Sequence, residues 1–291
     1  MINFTVPADY PQQKARYFLA SHAKVSTNLW KKIKWQGHLY INNQEVHAAS
    51  AVVNSGDTIS YELAVSSQII PCDKPLSIVY EDDWLLVINK PANMLIHPTT
   101  KDHSDTLVNI VVNYYQQSQQ VNIGCHPVYR LDRNTTGLII VAKQPQIQYA
   151  LTTSHDKICR FYQALVQGKP KPAEAMLCQP IGRKPDSIIE RIVSKNGQSA
   201  LTRYKVLLSK NDYSLVRLKL YSGRTHQIRV HMSHCGHPLL GDDLYGGDCT
   251  LIERQALHAY HVIFEHPISH KKIDIKIPLP ADMQNILDSY K

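Results

Sequence analysis

The chain has 291 residues, which is a typical length for about two domains. Its hydrophobic fraction of 43% and charged fraction of 19% are ordinary for a globular protein and exclude a wholly disordered chain. The longest uninterrupted apolar runs, at residues 84–88 and 138–142, are far shorter than the about 18 residues of a membrane helix. The first residues contain neither a basic segment nor an apolar stretch of the signal-peptide type. We therefore expect a cytoplasmic protein without a membrane partner.

The charge of the chain is positive, because 32 lysines and arginines outnumber 24 aspartates and glutamates and give a net charge of +8. Such an excess suggests an acidic partner, of which RNA or DNA is the first choice. A basic surface without a binding partner would have the same composition. The six cysteines form no CxxC pair, so we expect reduced thiols rather than a disulfide framework.

The first part of the chain, residues 1–70, has the pattern of a small module followed by a linker. Residues 29–34 predict a basic helix that ends at Gly37. Residues 39–46 predict two short strands around an Asn-Asn turn, because asparagine tolerates a positive φ. Residues 58–63 predict a further strand, and the polar, proline-containing stretch that follows predicts a linker.

The remainder of the chain, residues 71–291, contains more predicted strands than helices. The predicted strands cover residues 76–80, 84–89, 128–131, 138–143, 161–167, 213–221, 258–264 and 273–277. The predicted helices cover residues 146–158 and 226–235. Apolar and charged residues alternate in 213–221, which indicates a sheet with one buried face. Many strands follow one another closely, so we expect an α/β fold of the α+β kind with a mixed, largely antiparallel sheet.

One carboxylate stands out among three dense clusters of charged residues, which lie at 89–98, 130–137 and 223–242. Asp132 lies between Arg130 and Arg133 in a stretch typical of a turn. The two cations favour the ionised carboxylate, which can act as a nucleophile or a base. A purely structural Arg–Asp–Arg ion network is the alternative interpretation.

A metal site is a competing interpretation of the third cluster. Its candidate ligands are His226, His231, His234, Cys235 and His237. Their spacing matches neither HExxH nor paired CxxC motifs, so we expect no metal. The chain also lacks GxxxxGK[ST], GxGxxG and GxSxG, so we expect neither a nucleotide cofactor nor a serine hydrolase.

The clusters resemble the signature blocks of one known family, the RluA-type RNA pseudouridine synthases. The blocks are KPANMLIHP, HPVYRLDRNTTGLIIVAK and GRTHQIRVHMSHCGHPLLGDDLYGG, and the resemblance runs from about residue 76 to residue 280. Residues 15–63 resemble the S4-like RNA-binding module that precedes the catalytic domain in the large-subunit-rRNA branch. The resemblance implies a pseudouridine synthase catalytic domain over residues 71–291, preceded by an S4-like module and linker over residues 1–70.

The resemblance also implies roles for individual residues. Asp132 corresponds to the catalytic aspartate, Tyr162 to the tyrosine that packs against the target base, and Arg229 to the arginine that pairs with the aspartate. Arg130 corresponds to the residue that supports base flipping. The expected RNA-binding residues are Arg130, Arg133, Lys90, His97, Arg224, Lys31, Lys32 and Lys34.

The implied reaction agrees with the residues present. Isomerising uridine breaks the N1–C1′ bond and forms a C5–C1′ bond, which needs no redox cofactor and no metal. A single ionised carboxylate is enough, and the sequence suggests no second acid near Asp132 of the kind that a glycosidase uses. The uridine must leave its helix to be reached. We therefore expect a monomeric enzyme that acts on RNA, with ribosomal RNA as the expected substrate. The alternatives are an inactive RNA-binding protein of the same fold and a metal-dependent hydrolase.

Overall fold

The computed structural model describes residues 3–63, 69–98, 104–120, 123–153, 158–210 and 212–289. Two hydrophobic cores without a common residue dominate it. The smaller core draws its buried residues from positions 6–61 and the larger from positions 85–273. Among the described residues, no helix has both the length and the apolar character needed to cross a bilayer.

The first unit, residues 3–63, packs two helices against a small sheet. Its elements are β1 (Asn3–Thr5), β2 (Gln13–Lys14), α1 (Ala15–Ser21), α2 (Thr27–Gln36), β3 (Gly37–Ile41), β4 (Gln44–Val46), β5 (Val52–Val53) and β6 (Thr58–Leu63). The sheet has the order β1-β6-β3-β4. The Ser26 side chain accepts a hydrogen bond from the Leu29 amide and so caps α2. Positive φ angles at Asn42 and Asn43 confirm the predicted turn between β3 and β4.

The second unit is built on a large mixed sheet. Its strands are β7 (Ile78–Glu81), β8 (Leu85–Lys90), β9 (His126–Pro127), β10 (Thr136–Ala142), β11 (Cys159–Gln167), β12 (Glu174–Leu177), β13 (Ile181–Arg183), β14 (Arg191–Val193), β15 (Thr202–Ser209), β16 (Tyr213–Leu220), β17 (Leu257–Glu265) and β18 (Lys272–Lys276). Its helices are α3 (Leu107–Gln117), α4 (Pro145–Thr153), α5 (Gln227–His234), α6 (Ala281–Asp288) and a 3-10 helix (Asp243–Tyr245).

The sheet order is β12-β15-β16-β11-β17-β10-β8-β7, with β18 beside β17 and β9 beside β10. In the described part of the sheet, only β10 and β17 pair in parallel, so the predicted mixed, largely antiparallel architecture is confirmed. Strands β8 and β10 read as continuous apolar runs because both of their faces are covered. The small hairpin β13–β14 lies outside this sheet.

The predicted strand over residues 128–131 is wrong. The strand β9 stops at Pro127, and the chain then leaves the sheet. Val128, Tyr129 and Leu131 are apolar because they pack into the core as an irregular segment, where the Tyr129 hydroxyl donates to the Leu138 carbonyl at 3.1 Å. A buried loop and a buried strand have the same apolar composition, so the pattern could not separate them.

Other predicted boundaries also differ from the structure. The predicted helix over residues 146–158 appears as α4, which ends at Thr153, while residues 154–157 lie outside the described residues. The predicted linker falls partly on residues 64–68, which are likewise outside them. Helices α1, α3 and α6 and strands β12–β15 were not predicted.

Two irregularities of the sheet bring the candidate catalytic residues together. Gly137 has a φ of 112°, and a Cβ atom at this position would overlap the Ala259 carbonyl group. This close approach lets β10, which directly follows the Asp132 turn, pair with β17. The register between β11 and β17 shifts between residues 161 and 163, so a bulge lies opposite Tyr162. Such bulges re-aim side chains.

We predict that Gly137→Ala destabilises the protein by about 3 kcal/mol or more, because the new methyl group would collide with fixed backbone. Gly236→Ala is the matched control, since Gly236 also has a positive φ of 79°, but a methyl group there would have no non-neighbouring atom within 4 Å. It should cost only about 1 kcal/mol, from backbone strain alone. Urea unfolding of both variants measures the difference, and equal destabilisation would show that the β10–β17 approach is not tight.

Candidate active site

Asp132 lies on a turn whose backbone is held from inside the protein by two buried cations. The Lys90 ammonium donates to the Arg133 carbonyl at 3.0 Å. The Arg254 guanidinium donates to the Asn134 carbonyl at 3.2 Å. The Asp132 side chain itself is 27% exposed, so it is both anchored through its turn and reachable from solvent.

Lys90 corrects one of the predictions, because the expected contact between this residue and RNA is wrong. The side chain is completely buried and donates to the carbonyls of Pro91 at 2.7 Å, Met94 at 3.1 Å and Arg133 at 3.0 Å. Burial lowers the pKa of Lys90 to about 7, and the charge of Asp132 opposes this shift. Three acceptors for three N–H bonds favour the protonated amine. Lys90 therefore stabilises the backbone of the Asp132 turn.

Arg229, on α5, lies between two carboxylates. Its Nε and Nη2 atoms each donate to Asp242 at 2.7 Å, and its Nη1 atom lies 3.5 Å from Asp132 Oδ2. Burial acts to lower the pKa of Arg229, but hydrogen bonds to Asp242 and the charges of both carboxylates raise it overall. The expectation that no second acid lies near Asp132 is therefore wrong: Asp242, which is completely buried, shares the same guanidinium.

Two further residues of the site, His226 and Tyr245, were not assigned to it from the sequence. His226 Nε2 lies 3.9 Å from Asp132 Oδ1, and His226 Nδ1 lies 2.8 Å from the Tyr245 hydroxyl. The Tyr245 ring packs against the Arg229 guanidinium, whose central carbon is 4.8 Å from the ring centroid. Both residues lie in the third sequence block, GRTHQIRVHMSHCGHPLLGDDLYGG, which is the feature that could have indicated them. From the sequence, His226 was considered only as a candidate metal ligand.

Tyr162, on β11, is 4% exposed. Burial raises the pKa of Tyr162, Arg160 lowers it, and the charge of Asp132 raises it further. The tyrosine and the carboxylate therefore belong to one electrostatic environment. The structure places Asp132 and Arg229, two of the three residues expected to be catalytic, 3.5 Å apart, and Tyr162 is buried on β11.

The remaining expected RNA contacts of this unit lie at the surface. Arg130 and Arg133 are exposed on either side of Asp132. His97 is exposed as well, and partial burial together with the charge of Arg130 lowers its pKa. Arg224 is exposed and anchored, because its Nε donates to the Ser199 carbonyl at 2.9 Å. Arg130, Arg133 and Arg224 are therefore exposed cations, and two of them flank Asp132 in the chain.

Three histidines of the third cluster, His226, His231 and His237, have protein partners. Both ring nitrogens of His231 are engaged, with Thr202 Oγ1 and with the Gln179 carbonyl, each at 2.9 Å. His237 Nδ1 lies 2.8 Å from the Gln167 carbonyl. Over the described ranges, no group of three or more His, Cys, Asp or Glu side chains has the geometry of a metal site.

Comparisons with known proteins identify the family of the chain. Residues 84–234 match a family model described as RNA pseudouridylate synthase. A Bacillus subtilis protein named uncharacterized RNA pseudouridine synthase YjbO is 40% identical over 275 residues, which is 92% of this chain and 96% of that protein. Ribosomal large subunit pseudouridine synthase D of Haemophilus ducreyi is 36% identical over 270 residues, 86% of this chain and 82% of that protein.

Solved structures show the same fold. The human protein RNA pseudouridylate synthase domain containing 4 superimposes with a TM-score of 0.59 at 23% identity, covering 73% of this chain and 92% of that one. Fold and site together define an RNA-modifying isomerase. The chain belongs to the RNA pseudouridine synthase family, in its RluA-type group.

We predict that Lys90→Met lowers the thermal stability of the protein and leaves the salt dependence of RNA binding unchanged. The apolar side chain fits the space but removes all three hydrogen bonds of the ammonium, and among the described residues only the Arg133 carbonyl keeps another donor, the Met94 amide at 3.1 Å. Each carbonyl left without a donor costs about 1–3 kcal/mol. Arg133→Gln should do the reverse, because loss of one phosphate contact makes log K against log salt shallower by about 0.7–0.9. A shallower slope for Lys90→Met would restore the expectation of a direct RNA contact.

Proposed function

We propose that this pseudouridine synthase acts on large-subunit ribosomal RNA and that Asp132 is its catalytic carboxylate. The observation that carries the proposal is a reachable carboxylate held beside a buried arginine. Asp132 is 27% exposed, lies 3.5 Å from Arg229 Nη1, and influences the pKa of Tyr162. The ribosomal substrate is supported by the names of relatives from Haemophilus ducreyi and Vibrio parahaemolyticus, both 36% identical.

The proposed chemistry uses these groups in turn. The N1–C1′ bond of the uridine breaks, the base turns, and a C5–C1′ bond forms. C5 then loses its proton and N1 gains one, so the product is an isomer of the substrate. Attack by Asp132 at C1′, its attack at C6 and its removal of a ribose proton all require an ionised carboxylate beside the sugar. Arg229 supplies a positive charge beside the carboxylate, with its Nη1 atom 3.5 Å from Asp132 Oδ2. Tyr162 forms the wall against which the released base packs while it turns.

The exposed arginines of this unit are suited to extracting the uridine base from an RNA helix. Arg130 and Arg133 flank Asp132, and Arg224 is fixed by the Ser199 carbonyl. We assign Arg130 to the space that the uridine vacates, and the other arginines to backbone phosphates. His97 lies within the electrostatic influence of Arg130 and extends the same surface.

The proposed division of labour places chemistry in residues 71–291 and additional RNA affinity in residues 1–70, an S4-like module and its linker. Helix α2 buries Leu29, Trp30 and Ile33 against the module and turns Lys31 and Lys32 to solvent. Trp35, which the sequence did not single out, is 74% exposed, and Lys34 Nζ lies 4.5 Å from the centre of its ring. A cationic helix with an exposed indole suits a phosphate backbone and an unpaired base.

The substrate is tested by mapping pseudouridines in ribosomal and transfer RNA from a strain that lacks the gene and from its parent. We expect at least one large-subunit ribosomal position to lose its pseudouridine and to regain it when the gene is returned. Loss confined to transfer RNA, with an unchanged ribosomal map, would contradict the proposed substrate while leaving the reaction intact.

The module is tested in the full-length protein with Lys31→Ala, Lys32→Ala and Lys34→Ala combined. The plot of log K against log salt should become shallower by about two to three units, because each phosphate contact contributes about 0.7–0.9. Trp35→Ala should weaken binding about tenfold without changing that slope, because stacking is uncharged. Fluorescence anisotropy at several salt concentrations measures both.

Lys271→Ala with Lys272→Ala is the matched control, since these lysines are also adjacent and exposed but lie at the β17–β18 turn. The control should leave the slope unchanged. An unchanged slope for the α2 variant, with a lowered Tm, would mean that the module only stabilises the protein.

A further inference from the structure

The turn formed by residues 242–245, hereafter the 242–245 turn, contacts both groups that face Asp132. At its start, Asp242 is completely buried and binds Arg229 through two hydrogen bonds of 2.7 Å. At its end, Tyr245 places its hydroxyl 2.8 Å from His226 Nδ1. One short segment therefore contacts both Arg229 and His226, whose nitrogen atoms lie 3.5 and 3.9 Å from the oxygens of Asp132.

The hydrogen bonds around Tyr245 determine which nitrogen of His226 carries the proton. The Arg191 backbone amide donates to the Tyr245 hydroxyl oxygen at 3.0 Å, and no other acceptor for the hydroxyl hydrogen than His226 Nδ1 lies within reach among the described residues. Tyr245 therefore donates and Nδ1 accepts. The imidazole hydrogen is then on Nε2, the nitrogen that lies 3.9 Å from Asp132 Oδ1.

The surroundings of His226 favour its neutral form. Burial is the largest influence on the pKa of His226 and lowers it. Arg229 and Arg191 lower it as well, while the charges of Asp132 and Asp242 act in the opposite direction. A neutral imidazole offers one N–H to the carboxylate without forming a second ion pair. His226 also has a φ of 57°, a strained conformation that persists where surrounding contacts fix it.

The distances to Asp132 are longer than those of a closed ion pair. Arg229 Nη1 is 3.5 Å away, whereas the same guanidinium is 2.7 Å from each oxygen of Asp242. The fork of the arginine is thus already occupied, and Arg229 supplies charge to Asp132 without closing on it. A carboxylate that is fully engaged by a bidentate arginine would be a weaker nucleophile or base.

We propose that Asp242 and Tyr245 are positioning residues of the active site, a proposal that rests on Asp132 being the catalytic carboxylate. Asp242 holds Arg229 back from Asp132, and Tyr245 fixes His226 as the Nε2–H tautomer. Each oxygen of Asp132 then faces one N–H donor, Arg229 at Oδ2 and His226 at Oδ1. The carboxylate is oriented by these two groups but remains free to react.

The test for Tyr245 is a double-mutant cycle with Tyr245→Phe and His226→Gln in the full-length protein. Single-turnover rates are measured at saturating RNA, with RNA affinity and Tm recorded for each variant. Tyr245→Phe should slow the wild-type reaction about tenfold, the effect of one lost hydrogen bond, and should slow His226→Gln no further. Additive effects in this cycle would overturn the proposal for Tyr245.

The pH dependence supplies a readout that a purely structural tyrosine would not change. Without the hydroxyl that donates to Nδ1, protonation of His226 becomes easier, so its pKa rises in Tyr245→Phe. A cationic imidazole would close on Asp132, so activity should be lost at a higher pH on the acid side of the profile. If Tyr245→Phe loses activity at the same acidic pH as the wild-type protein, the proposal is also overturned.

The test for Asp242 is Asp242→Asn, with Asp243→Asn as the control at an exposed neighbouring position. Released from its partner, Arg229 should close on Asp132, so the rate should fall about a hundredfold while RNA affinity changes less than about twofold. If Asp242→Asn does not fold, the Tyr245 cycle and its pH profile still decide the proposal. A normal rate for Asp242→Asn overturns it, whereas an active Asp132→Asn variant would overturn the proposed function instead.

Discussion

The arrangement around Asp132 depends on one buried guanidinium shared by two carboxylates. Arg229 has a side chain only 7% exposed and would be costly to bury alone, but Asp242, with no exposed surface, matches its charge and its planar fork. The Nη1 atom of Arg229 lies 3.5 Å from Asp132, which keeps access to solvent. The buried Arg229–Asp242 pair thus fixes the position of a guanidinium beside Asp132, which is the third charge and is accessible to solvent. The α5 helix and the 242–245 turn must keep their mutual position for this support to exist.

The same principle extends through the turn that carries Asp132. Its carbonyls are held by Lys90 and Arg254, and Arg254 is itself fixed by a two-bond pair with Asp282 on α6, at 2.7 and 2.9 Å. The buried cation Arg254 therefore connects helix α6 to the turn that carries Asp132. In the sheet that supports this turn, strands β8 and β10 are almost entirely apolar and buried. The polar groups that hold the Asp132 turn therefore lie at the edge of an apolar sheet.

Much of the fold could be predicted because local patterns agree with it. Strand β6 matches the predicted residues 58–63, and the Asn-Asn turn and the end of α2 at Gly37 also appear as expected. Asp132 could be found because its flanking arginines lie in the same short block. Asp242 and Tyr245 could not be assigned, because their roles arise from contacts across 13 and 19 residues of sequence. Lys90 was misjudged because nothing in its neighbours shows that the chain folds over it.

The measurement that tests the central claim most directly compares Asp132→Asn with the wild-type protein on a saturating RNA substrate, with product read as pseudouridine formed in a single turnover. Asparagine keeps the shape of the side chain and removes its charge. The account predicts RNA affinity within about twofold of wild type and a rate at least about a thousandfold lower, a barrier change of about 4 kcal/mol. A rate within about tenfold of wild type would contradict it, because Asp132 could then be neither the nucleophile nor the base.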